Sequence, residues 1–82
     1  MITDEHIQQV VTTVQVLKRT IAEQKFVDVG RGAARNLGVS EATLRSALEV
    51  LKDEGYVIRL LRTKRKVGMA TKQTVLKILT TP

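Results

Sequence analysis

The sequence predicts an α+β fold, mainly α, built from three helices and a small antiparallel β-hairpin. Apolar residues recur at three- and four-residue steps through the first two-thirds of the chain, then give way to runs of strand formers in the last third. A single glycine, Gly68, centres the basic stretch between those runs. With 82 residues, 43% hydrophobic and 27% charged, the composition is that of one small globular domain over 1–82.

The first helix is expected over residues 3–24. Ile7, Val10 or Val11, Val14, Leu17 and Ile21 line one apolar stripe. Thr3 suits the N-cap, and Asp4 and Glu5 fall in the first turn, where carboxylates favour the helix dipole. The β-branched run Val10, Val11, Thr12, Thr13, Val14 and Val16 lowers intrinsic helicity, so tertiary packing must supply what propensity lacks. Val10, Val14 and Val16 cannot all face one core stripe, which leaves apolar surface over.

Phe26-Val27-Asp28-Val29 alternates apolar and polar before Gly30 and reads as a very short strand. Residues 31–54 read as two helices meeting at a tight corner. Ala34 and Leu37 space the first helix and Gly38 is its left-handed stop. Ser40 caps the second, which runs from 41 to about 54 with Leu44, Ala47 or Leu48, and Leu51 inward. Gly55 ends it. Strand formers cluster at 56–62 and 74–79 around a basic loop, 63–73, and predict a hairpin over 56–79. This order of elements is that of a winged helix, with the hairpin supplying the edge partner for the short strand.

A helix-turn-helix needs small residues where its helices cross, a glycine at the turn, and apolar spacers pinning both to the core. Ala33, Ala34, Leu37, Gly38, Val39, Leu44 and Leu48 meet those demands in that order. The run from Gly32 to Leu48 resembles the helix-turn-helix of bacterial and phage winged-helix DNA-binding proteins. It is particularly similar to GntR-type regulators, whose serine-capped helix carries a Thr-apolar-Arg step, here Thr43-Leu44-Arg45. The resemblance covers about residues 26–80, and it implies binding to double-stranded DNA in transcriptional or phage and plasmid regulation. Two departures stand out. Glu41 occupies the position after the capping serine where such proteins usually place an arginine. Their large effector-binding domain has no counterpart in these 82 residues, so the resemblance implies no small-molecule ligand. The chain reads as a minimal regulator or as the N-terminal part of something larger.

Charge points the same way. Residues 1–55 carry seven basic and eight acidic side chains, a net of −1, whereas 56–82 carry seven basic and no acidic ones, a net of +7. That asymmetry suggests a polyanion partner. Phe26 and Tyr56 are the only aromatic residues, fewer than stacking modules for single strands or RNA usually carry, which favours duplex DNA.

Other function classes find little support. The chain has no cysteine and one histidine, His6, so disulfides, thiolate metal sites and multi-histidine zinc sites are excluded, and no cofactor is expected. No apolar run approaches the roughly 20 residues of a membrane span. The N-terminus lacks the basic start and apolar core of an export signal, so the expectation is cytoplasmic. No nucleophile stands at sensible spacing from a base, and Asp53 and Glu54 fall at a solvated helix end, so no enzyme is expected.

The candidate DNA contacts follow from the exposed side of the second motif helix, read as Glu41, Ala42, Thr43, Arg45, Ser46 and Glu49. Arg45 is the first choice for a base contact, because a guanidinium bridges guanine O6 and N7. Thr43 and Ser46 suit base edges or phosphates, and Ser40 suits a phosphate at the helix N-terminus. Arg31 and Arg35 suit the backbone. Lys64, Arg65, Lys66 and Lys72 in the wing would grip phosphates or enter a minor groove, with Thr71 assisting. The plainer reading of Arg45 is an ion pair with Glu41 or Glu49, each four residues away. Rival functions are a protein-interaction module and an RNA binder. The leftover apolar surface of the first helix leaves a homodimer open.

Overall fold

The computed structural model describes residues 4–82, so the expected Thr3 cap lies outside the described residues. The order is α1 (Asp4–Gln24), β1 (Phe26–Asp28), α2 (Ala33–Leu37), α3 (Glu41–Asp53), β2 (Val57–Val67) and β3 (Ala70–Thr80). Among the described residues these make three helices and one three-stranded antiparallel sheet, a mixed α+β layout consistent with a winged helix.

α1 buries Thr13, Val14, Leu17 and Ile21, with Val10 half-buried beside them. The Thr13 hydroxyl donates to the Gln9 carbonyl at 2.7 Å, so this polar residue enters the core with its donor satisfied. Ile7, expected on the buried stripe, is instead exposed, as is Val11. The reason is length. At 21 residues α1 spans about 31 Å, whereas the 13-residue α3 it packs on spans about 20 Å, so the first turns of α1 outrun the core. α1 stops at Lys25, which takes a left-handed φ of 77° and donates its N–H to Ile21 O at 2.8 Å.

The corner between α2 and α3 is a Schellman turn. Gly38, at φ 72°, donates to Arg35 O at 3.1 Å, and Val39 donates to Ala34 O at 3.0 Å. A Cβ at Gly38 would meet nothing within 4 Å, so what the glycine supplies is its backbone conformation and not room. Ser40 then caps α3, its Oγ accepting from Thr43 N at 3.1 Å. α3 buries Thr43, Leu44, Ala47 and Leu51. Leu17, Leu51 and Leu79 are among the side chains wholly removed from solvent, one each from α1, α3 and β3. At 2.8 Å, Lys18 of α1 also bridges to Glu54 Oε1 beyond α3. The Glu54 carboxylate raises the Lys18 pKa above its usual 10.5, so this tether is complete below pH 10.5 and is lost as pH rises through the raised value.

β3 is the central strand of the order β1-β3-β2. It pairs with β1 over Phe26↔Thr80, Val27↔Leu79 and Asp28↔Ile78, and with β2 without interruption from Val57↔Thr80 to Val67↔Ala70. The expected basic loop over 63–73 is therefore mostly strand. Only Gly68 and Met69 remain as the turn. Gly68 has φ 62° and Met69 no positive φ, the pattern of a two-residue II′ turn, whose twist matches that of the strands it joins. Charged residues hid this continuity in the sequence, since Lys is a poor strand former on average although it is well placed on an exposed edge.

Every residue from 59 to 75 is exposed, so the hairpin projects as an arm beyond the core. From Arg59 to Val67 it extends about 27 Å. A compact chain of this size would have a radius of gyration of about 12 Å, whereas the observed value is 14.7 Å, with a longest extent of 53 Å.

Burial sets the expected mutational contrast. Leu51→Ala should cost about 2–5 kcal/mol in urea denaturation, whereas Leu60→Ala, out on the arm, should stay within about 0.5 kcal/mol. Equal costs would mean that the arm packs on the domain.

Candidate functional site

A shallow open depression of about 780 Å³ lies where the turn after β1, the helix α2, the N-terminal turns of α3 and Lys77 of β3 converge. Its apolar floor includes Val29, Ala34, Val39, Leu44 and Leu48. Four cations ring it, Arg31, Arg35, Arg45 and Lys77, against one carboxylate, Glu41. All four are exposed.

Local hydrogen bonds hold the pieces in place. Asp28 Oδ1 accepts from Gly30 N at 2.8 Å, and Gly30 O accepts from Ala33 N at 3.1 Å, which fixes the turn carrying Arg31. Val29 N donates to Lys77 O at 2.9 Å and draws β3 to the same place. Lys77 shares a sheet face with Leu79, the core face, so alternation turns it toward the cleft. Arg45 forms no ion pair with Glu41 or Glu49 among the described residues; Lys18–Glu54 is the bridge that involves this helix's end.

The structure thus brings together Arg31, Arg35 and Arg45 of the expected contacts and adds Lys77, which is not among them. Its signal was pairing register, and which residue of a C-terminal strand sits beside residue 29 is not legible in local sequence. Ala42 and Ser40 are exposed next to the cleft without lining it, and Ser46 is half-buried. The Ser40 hydroxyl is already engaged with Thr43, both at its N–H and at Oγ1, 2.8 Å away.

Thr43 departs from expectation. The helical pattern places it on the exposed side as a contact, yet it is wholly buried. Residues 43, 47 and 51 form one i+4 row of α3 that faces the core, so Thr43 belongs to the packing stripe and no ligand reaches it.

The arm divides its expected contacts between two faces. Lys64, Arg65 and Lys66 are consecutive in sequence, but strand alternation sends them to different faces. Lys64 (opposite Gln73) and Lys66 (opposite Thr71) share the face of Arg62 and Lys77, whereas Arg65 lies opposite Lys72 on the face of Arg59. Arg65 and Lys72 are therefore directly opposed like charges, a pairing that destabilises a hairpin by a few tenths of a kcal/mol up to about 1 kcal/mol. No acidic residue of the arm offsets it.

No helix of the described residues is long and apolar enough to cross a membrane. No protein-family model matches this chain, and neither a curated protein nor a solved structure matches it.

Proposed function

We propose that this chain is a winged helix-turn-helix domain that binds duplex DNA, with α3 entering the major groove and the arm following the neighbouring backbone. The observation that carries the reading is the convergence of Arg31, Arg35, Arg45 and Lys77 on the N-terminal half of α3. A major groove about 12 Å wide admits a helix. Arg45, unpaired with Glu41 and Glu49, reads a base edge. Arg31, Arg35 and Lys77 hold phosphates on either side, while Glu41 accepts from cytosine N4 where that base occurs. Regulation of transcription or of phage or plasmid DNA is the process such a domain serves, and no catalytic role is assigned to it. The exposed Ile7 and Val11 of α1 supply the surface for a homodimer on paired half-sites.

A second reading, a protein-docking module, draws on the outer sheet face, where Phe26 and Leu61 are exposed beside Val57 and Leu76. Duplex binding tested residue by residue separates the two. Shifts in the amide spectrum at 40–49 and 62–73 on adding DNA support the first reading, and silence at low salt refutes it.

If roughly five or six phosphates are neutralised, log K falls with log salt at a slope near −5. Replacing Lys64, Arg65 and Lys66 together with Ala should weaken every sequence alike and reduce that slope by about 2–3. A wild-type slope near zero would overturn the electrostatic part.

Arg45→Ala should relax preference at one base pair by roughly 1–3 kcal/mol in a competition assay across single-base variants of a bound site. Uniform weakening over all variants would make Arg45 a phosphate contact instead.

A further inference from the structure

We infer that the tip of the hairpin arm is a wedge that enters the minor groove and bends the duplex, with Met69 inserted against the base stack. The inference rests on the duplex-binding reading above and adds an activity to it. Four features carry it.

First, Met69 is fully exposed, at 107%, on the arm's foremost turn, and Val67 beside it is 50% exposed. With Ala70 they form an apolar tip on an arm whose shaft is Lys, Arg, Thr and Gln for several residues back. Position two of a II′ turn needs no methionine, and nothing in the fold packs on it. Second, the tip is narrow. Gly68 has no side chain and open space around it, so the fully exposed Met69 side chain alone leads the turn.

Third, cations occupy both faces of the shaft just behind the tip. Lys64 and Lys66 lie on one face, Arg65 and Lys72 on the other. A flat polyanionic surface would need cations on one face only. A groove has two phosphate walls, and a ribbon entering it tip-first presents one face to each. The opposed Arg65–Lys72 pair, unfavourable in the free arm, is relieved once a phosphate lies against it. Fourth, the arm reaches about 27 Å past the core, enough to pass the side of a duplex while α3 remains in the adjacent major groove.

The chemistry of the tip decides between gripping and bending. Apolar side chains in a minor groove act by prising apart a base step, which kinks the duplex toward the major groove. Methionine suits this because it is unbranched, flexible and polarizable. Pyrimidine–purine steps such as TpA unstack most readily and are the preferred point of entry.

The test uses a 30-base-pair duplex with donor and acceptor dyes at its ends and 2-aminopurine at a central TpA step. Binding is followed by anisotropy on the same duplex. The full chain should raise energy transfer and 2-aminopurine emission together as it binds. Met69→Ala should bind within about threefold of wild type with the same salt slope, yet lose most of both signals. Met69 touches nothing in the domain, and an unchanged thermal melt would verify that the variant is folded. Met69→Leu should keep the bend, because it keeps an apolar wedge. Arg65→Ala with Lys72→Ala should weaken binding and flatten the salt slope. Wild-type binding without either signal overturns the wedge while leaving duplex binding intact, as does Met69→Ala bending like wild type. Absence of binding to the duplex overturns both readings at once.

Discussion

At its last three residues β3 pairs with β1 along one edge and with β2 along the other, and Leu79 between them is wholly buried. This double pairing joins the two ends of the fold. Bringing residue 78 beside residue 28 closes a loop of 50 residues, whose length-dependent entropy costs about 3.5 kcal/mol. Full burial of Leu17, Leu51 and Leu79, at about 1.5–3 kcal/mol each, is enough to offset it. The cationic cleft takes its last member from that closure. Arg31 and Arg35 come from the segment after β1, Arg45 from α3, and Lys77 from β3, so Lys77 joins the arginines only when the last strand has returned to the first.

Charge follows the same division between core and projection. Every acidic residue lies at or before Glu54, in the part of the chain that packs, and the arm carries only cations. Because residues 59–75 are in solvent, their mutual repulsion is screened by water and does not have to be balanced by buried partners. A domain of modest core can therefore hold a strongly basic element, provided that element stays outside the core. The consequence is two cationic zones of different character. The cleft sets its cations around an apolar floor beside a rigid helix, whereas the arm distributes its cations over two faces of a ribbon.

Several elements were legible in local sequence because local physics alone determines them. The Gly38-Val39-Ser40 corner needed a left-handed stop and a side-chain cap within three residues, and both form as expected. The inward row of Leu44, Ala47 or Leu48, and Leu51 follows from helical period, and packing buries Ala47 wholly while Leu48 stays half-buried. The full length of the hairpin is not legible locally, because Thr63, Val67, Thr71 and Thr74 are interleaved with lysines and arginines that mask the alternation. The burial of Thr43 escapes the sequence for the opposite reason. A threonine in an amphipathic helix reads as surface, and here its hydroxyl is satisfied by Ser40, which lets it enter the core.

By itself the sequence determined the element types, the helix-turn-helix corner, the excess of cations after residue 55 and the exclusion of thiolate chemistry. Each of these is a property of composition or of contacts between residues a few positions apart. Tertiary structure decided where α1 outruns the core and exposes Ile7, which face of the arm each cation occupies, and that Lys77 joins three arginines from two other segments. Those outcomes turn on strand register and relative helix length, which are fixed by packing between distant parts of the chain. A shift of β3 by one residue would exchange its faces, turning Leu79 out and Lys77 away from the cleft.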